Sequence, residues 1–276
     1  MRKFLVIMLL PFFVYACSST EDDVKDGVRV EEEESKDFSS SQIQKVKVET
    51  KNGSIESNVW DDDSIHVAFE KWAIGDTKGD AEDIIDDIQI FISEDTASGV
   101  LSIDVDIPNY EGSYGCNITL DLPSSLSLDL ESLNGAITVS GSQSRLECFT
   151  SNGSIEIQDT EGNATLETSN GAITATDHYG DLNASTSNGA ITVEGITLPT
   201  QGECILKTSN GAITLSIPAT TSAMIEASTV NGEIEMRGLN VMVIKMEETE
   251  FEGKIGAGEG VIKLKTSNGN ILIRRE

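Results

Sequence analysis

The chain has 276 residues, 47 acidic against 19 basic side chains, and a net charge of −28, so no basic stripe is available to neutralise phosphates and nucleic-acid binding is excluded. Aromatic residues make up 5%, which suits a narrow interior of Ile, Leu and Val. The length admits one large or two small domains, and the repeats described below favour one continuous core.

Residues 1–17 read as a secretory leader: Arg2 and Lys3 supply a positive start, and Phe4 to Val14 form an apolar run too short to span a bilayer. Its end, Val14-Tyr15-Ala16-Cys17, resembles the bacterial lipobox, and the resemblance implies that Cys17 becomes an acylated mature N-terminus. Ser18 after it implies sorting to the outer membrane by analogy with Gram-negative lipoproteins. Two or more acyl chains make such an anchor stable, because each buried methylene contributes only about 0.8 kcal/mol.

Residues 18–41 carry Glu21, Asp22, Asp23, Asp26, the run Glu31 to Glu34, and Asp37, with little to bury, and are expected to be a disordered acidic tether. The β-repeat domain is assigned to residues 42–276. Its first part alternates, with Ile43, Val46 and Val48, then Ile65, Val67 and Phe69. Asp61-Asp62-Asp63 reads as an exposed turn rather than a cation site, since adjacent carboxylates do not converge on one ion. His66 falls on the polar phase of its strand. Acids interleaved with Ala81, Ile84, Ile85 and Ile88 predict one short helix over 82–88, placed to shield an open end of the core. A loop insertion is assigned to 108–115, where Tyr110 and Tyr114 stand near Asn109 and Glu111 as a candidate sugar platform.

The main array follows. Asn-Gly pairs stand at Asn52-Gly53, Asn134-Gly135, Asn152-Gly153, Asn170-Gly171, Asn188-Gly189, Asn210-Gly211, Asn231-Gly232 and Asn268-Gly269. From Asn134 they step by 18, 18, 18, 22, 21 and 37 residues, and the last gap suggests a degenerate copy at Glu252-Gly253-Lys254-Ile255. Six and four residues before each Asn the positions are apolar, and three after there is always Ile. Alternation on both sides of the pair is strand periodicity, so each copy reads as strand, Asn-Gly corner, strand, with the pair expected to supply positive φ. The parity also fits a two-residue hairpin and hence an antiparallel meander. A meander of short strands leaves one apolar face uncovered, whereas a parallel β-solenoid folds each copy around a shared interior and stacks it on the next at about 4.8 Å. The fold class expected is therefore all-β, a parallel β-solenoid of 18 to 22 residue repeats. Stacking also predicts side-chain ladders of Asn or Thr.

The pattern Pro123, Leu126, Leu128, Leu130 and Asn134-Gly135-Ala136-Ile137-Thr138-Val139-Ser140-Gly141, repeated downstream, resembles the putative-adhesin family of bacterial β-strand-repeat domains over about residues 43 to 276. The resemblance implies a solenoid-like fold and an envelope location.

Catalytic chemistry is not evident. His178 lies in the connector Asp177-His178-Tyr179-Gly180, Arg145 and Arg237 are isolated, and no nucleophile, base and orienter set occurs. No metal site and no cofactor are expected. Cys148 and Cys204 fall three coils apart, about 14 Å at the spacing of stacked strands, too far to bridge. A Cys116–Cys148 bridge stays open. The function expected is that of a non-enzymatic, lipid-anchored envelope protein presenting a rigid solenoid for adhesion, binding or scaffolding, with a glycan or an envelope protein as ligand. A polysaccharide-active β-helix enzyme and an envelope-stress interaction module are the alternatives.

Overall fold

The computed structural model of the chain describes residues 27–109 and 112–276. The leader, Cys17, the start of the tether, Tyr110 and Glu111 lie outside them.

Strand residues before each Asn form one sheet, here called leading, and those after each Gly form a second, trailing sheet. Among the described residues the leading sheet has twelve strands and the trailing sheet eleven. Successive coils pair in parallel and in exact repeat register: Leu146 sits over Leu128, Ala164 over Leu146, Leu182 over Ala164 and Cys204 over Leu182. In the trailing sheet Ile137, Ile155, Ile173, Ile191, Ile213 and Ile271 form one column. The chain is thus a two-sheet parallel solenoid, and the meander is overturned.

Period-2 alternation aims one face of each strand at the opposite sheet. In one coil Leu182, Ala184, Ile191 and Val193 are all at most 1% exposed, and the columns above and below repeat this. Full burial of a large aliphatic side chain contributes roughly 1.5–3 kcal/mol. Four such groups do not order a coil alone, so stability comes from stacking on neighbours.

At both ends the stacking order departs from chain order. The Asn52 coil lies between the Asn134 coil and one made of Val100–Asp106 and Ser113–Leu122, so that Lys45–Asn52 pairs with both flanking leading strands. At the other pole the Asn268 coil lies between those of Asn210 and Asn231. Antiparallel strands then cover the open ends. Ser64–Gly75 pairs with Ser113–Leu122, and Gln89–Asp95 with Val100–Asp106. Glu250–Ile255 pairs with Ala223–Ser228, and Met242–Met246 follows as the outermost strand.

Three expectations are corrected here. The acidic segment 28–41 is not a disordered tether, because Val28–Ser39 pairs antiparallel with Ser64–Gly75 over twelve residues. Its partner supplies the missing cohesion: Glu34 faces Lys71 at 3.7 Å, Asp37 meets His66 at 2.7 Å, and Arg29 stacks over Trp72 at 4.7 Å. Val30 and Phe38 pack against the core. Second, Glu252-Gly253-Lys254-Ile255 is not a corner but part of the antiparallel strand Glu250–Ile255. The 37-residue gap therefore holds a terminal cap, not another coil. Third, the helix spans Lys78–Asp86 rather than 82–88. Thr77 and Asp80 form a reciprocal capping box that starts it earlier, and Ala81 and Ile85 are its buried side chains at the capped pole.

Candidate ligand-binding groove

The corners position everything on the surface beside them. Each Asn amide nitrogen donates to the side-chain oxygen of the Asn in the coil before it, from Asn134 to Asn52 (2.7 Å), through Asn152, Asn170, Asn188 and Asn210 (2.8, 3.0, 2.9 and 2.9 Å), to Asn268 and finally Asn231 (both 2.8 Å). A carboxamide carries donor and acceptor on opposite sides, so the ladder extends without a mismatch.

The reason for Gly is not the expected one. Among the corner residues only Gly53 has positive φ (151°). A Cβ on Gly153, Gly171, Gly189 or Gly211 would stand 1.8 to 1.9 Å from the glycine carbonyl oxygen of the coil beneath. The side chain is excluded by close stacking, not by torsion. Positive φ occurs instead on the far side of the coils, at Gly141, Asp159, Asp177 and Gly195, each seven residues after its Asn.

Two residues before each Asn a hydroxyl turns inward and donates to a corner glycine carbonyl of the adjacent coil. Thr150 bonds Gly135, Thr168 bonds Gly153, Thr186 bonds Gly171 and Thr208 bonds Gly189, all at 2.9 to 3.0 Å. Thr50 is buried and has no hydrogen-bond partner among the described residues. Its neighbouring coil, made of Val100–Asp106 and Ser113–Leu122, has no Asn-Gly corner, and the loop expected over 108–115 ends earlier because 113–115 already pair as strand.

Outside this pinned edge, the leading sheet carries a groove of about 560 Å³ that runs along the stack from the Asn134 coil to the Asn268 coil. One residue before Asn it is lined by Leu133 in the first coil and by Ser151, Ser169, Ser187, Ser209 and Ser267 in the others. Three residues before Asn, the pairing register places Glu131, Phe149, Glu167, Ser185, Lys207 and Lys265 side by side in that order. The groove is therefore acidic at one end, basic at the other, lined by serine hydroxyls from the Asn152 coil onward, and holds one half-buried aromatic ring. Reading the repeat missed this site. The signal was the column in which the copies disagree.

Residues 32–274 match the family model described as Toastrack DUF4097. The chain belongs to this family. No curated protein matches it. Among solved structures it is similar to a putative cell adhesion protein from Clostridium sporogenes ATCC 15579, with 12% identity and a TM-score of 0.42 over 90% of this chain and 100% of that one. A putative adhesin from Bacteroides fragilis NCTC 9343 gives 14% identity and a TM-score of 0.44, with coverage of 89% and 97%. A protein described as a putative lipid binding protein from Parabacteroides distasonis ATCC 8503 gives 11%, 0.31, 88% and 96%.

Elsewhere in this Toastrack domain the reactive side chains are sequestered. Cys116, Cys148 and Cys204 are free and buried, and no disulfide joins Cys116 to Cys148. Burial pushes the thiols of Cys116 and Cys204 up to about 12, and that of Cys148 upward too. His178 is not in a connector but inside the strand Ile173–Tyr179, at 1% exposure. Its Nε2 faces the carbonyl oxygen of Asp181 at 3.3 Å and must donate to it, leaving Nδ1 to accept from the Thr160 hydroxyl at 2.9 Å. Burial lowers its pKa. Tyr114 is buried and offers no open ring face to a sugar. The Asp61-Asp62-Asp63 segment is exposed. Among the described residues no group of three or more His, Cys, Asp or Glu is arranged to hold a metal ion, and no helix is long and apolar enough to cross a membrane.

Proposed function

We propose that this Toastrack protein is a non-enzymatic binding lipoprotein of the bacterial envelope, held by acylated Cys17 at the outer membrane and presenting its solenoid as a rigid body. The observation that carries the reading is the unbroken ladder of eight asparagines, which ties the coils into one stiff stack beside an open groove. Binding without turnover fits the side chains on hand. Arg145 and Arg237 are engaged by Glu147 at 2.7 Å and Glu235 at 2.6 Å, and the two lysines of the groove, Lys207 and Lys265, stand there without a His, Tyr or Arg among the described residues of its lining to complete an acid-base set. The leader features at Arg2, Lys3 and Phe4 to Val14 support export. Residues 18–26 are then the spacer between lipid and first strand.

Metabolic labelling with a clickable fatty acid is expected to mark the wild-type chain and not Cys17→Ala. Protease shaving of intact cells then reports which side of the membrane carries it, and a glycan array with membrane crosslinking reports the ligand. Equal labelling of both chains overturns the anchor; capture of neither a glycan nor a protein overturns the binding role.

A second reading, docking of an envelope protein by strand addition, is favoured by Met242–Met246. In this outermost strand Met242, Val243, Ile244 and Met246 are each more than half exposed.

A further inference from the structure

We infer that the groove on the leading sheet binds an extended, carboxylate-bearing polysaccharide, with its acid group seated against Lys207 and Lys265. The inference deepens the binding role proposed above and rests on it. Its first support is the placement of charge. Lys207 and Lys265 face each other across adjacent parallel strands, about 5 Å apart at the backbone. Like charges so placed destabilise a sheet unless an anion lies between them.

Glu226, Glu250 and Glu252 line an adjoining depression that also contains both lysines, but none is ion-paired with either. Lys263, one pleat away, is engaged by Glu226 at 3.7 Å. Along the row, Ser185 and then Glu167 follow on one side, while Ser228 and then Glu250 follow on the other, and Glu250 is taken by Lys245. Neither Lys207 nor Lys265 has an ion-pair partner among the described residues. In a chain of net charge −28 these are two adjacent unpaired cations, and both line the groove.

The rest of the groove selects the class of anion. Apart from Glu131, Glu167 and the exposed Leu133, its outward wall is a row of serine hydroxyls with one aromatic ring, Phe149, the combination that meets a sugar's hydroxyls and its C–H face; the threonine hydroxyls beside them turn inward to the corner carbonyls. The period discriminates further. Hydroxyls recur once per coil, about every 4.8 Å, whereas an extended peptide advances about 3.3 Å per residue and drifts out of phase. A chain of linked pyranose rings advances by about one coil per ring. Glu131 and Glu167 at the far end accept hydrogen bonds from sugar hydroxyls and repel a second acid, which fixes the direction in which the glycan lies.

Isothermal titration of the full chain with cellohexaonate, a cellohexaose oxidised to a single terminal carboxylate, tests this, with cellohexaose and hexaglutamate as neutral and peptidic controls. Binding is expected to cellohexaonate, to weaken with added salt, and to fall at least tenfold in K207Q/K265Q while K78Q, on the helix at the opposite pole, binds like wild type. All three cations are exposed, so unchanged thermal unfolding checks that the fold survives. F149A is expected to weaken binding to both acidic and neutral sugars. Absence of cellohexaonate binding, binding undiminished in K207Q/K265Q, or tighter binding of either control overturns the groove assignment. Capture of another ligand by wild type and K207Q/K265Q alike on the array overturns it while leaving the general binding role standing.

Discussion

Replacing Gly171 by Ala separates two explanations of the corner glycines. If glycine were needed for torsional freedom, Ala would cost about 1 kcal/mol where φ is positive and little elsewhere. Gly171 is not at positive φ, yet its Cβ would lie 1.8 Å from the carbonyl oxygen of Gly153. A carbon and a carbonyl oxygen approach to about 3.3 Å, so the two coils must separate locally by about 1.5 Å. Three contacts between them then fail: Ile155 N–H to Ala172 O at 3.0 Å, Asn170 to Asn152 at 3.0 Å, and the Thr168 hydroxyl to Gly153 O at 2.9 Å. At about 1 kcal/mol each, the loss is roughly 3 kcal/mol, before any overpacking strain of 1–3 kcal/mol.

Gly141 provides the contrast. It has φ 77°, and its Cβ would meet only the Val59 side chain at 3.2 Å, so G141A should cost about 1 kcal/mol. Urea unfolding followed by circular dichroism, with hydrogen exchange to localise opening at the Asn152–Asn170 interface, measures both. Stability of G171A within 1 kcal/mol of wild type, or greater damage from G141A than from G171A, would falsify the stacking argument.

Two further outcomes follow from buried polar groups. Thr168→Val removes a made hydrogen bond and strands the Gly153 carbonyl, so it should cost about 1–2 kcal/mol in urea unfolding, whereas Thr50→Val replaces a hydroxyl without a partner among the described residues and should be neutral or stabilising; equal costs would sink the distinction. His178 has a folded pKa below its ordinary 6.5, so the unfolded chain takes up the proton first. Its contribution is fully present above 6.5 and is lost as pH falls from 6.5 toward the lowered value. His178→Gln should therefore lose less stability than wild type between pH 7.5 and 5.5, and parallel pH profiles would show that His178 is not the responsive group.

The sequence by itself determined the coil. Apolar residues at fixed distances before and after each Asn specify two inward-facing strands per copy, and identical copies can satisfy one another only by lying in register, as Leu128, Leu146, Ala164 and Leu182 do. What only the tertiary structure decided is where order along the chain gives way to order along the stack. The Asn52 and Asn268 coils insert one place inward, and antiparallel strands cover the ends, because an exposed sheet edge must be paired and no local pattern states with which strand. The acidic run Glu31 to Glu34 became a strand for the same reason: its pairing partner, Ser64–Gly75, lies a hinge of chain away. The groove is also a product of stacking. Glu131, Phe149, Glu167, Ser185, Lys207 and Lys265 are scattered along the chain and become a row only when the coils superimpose.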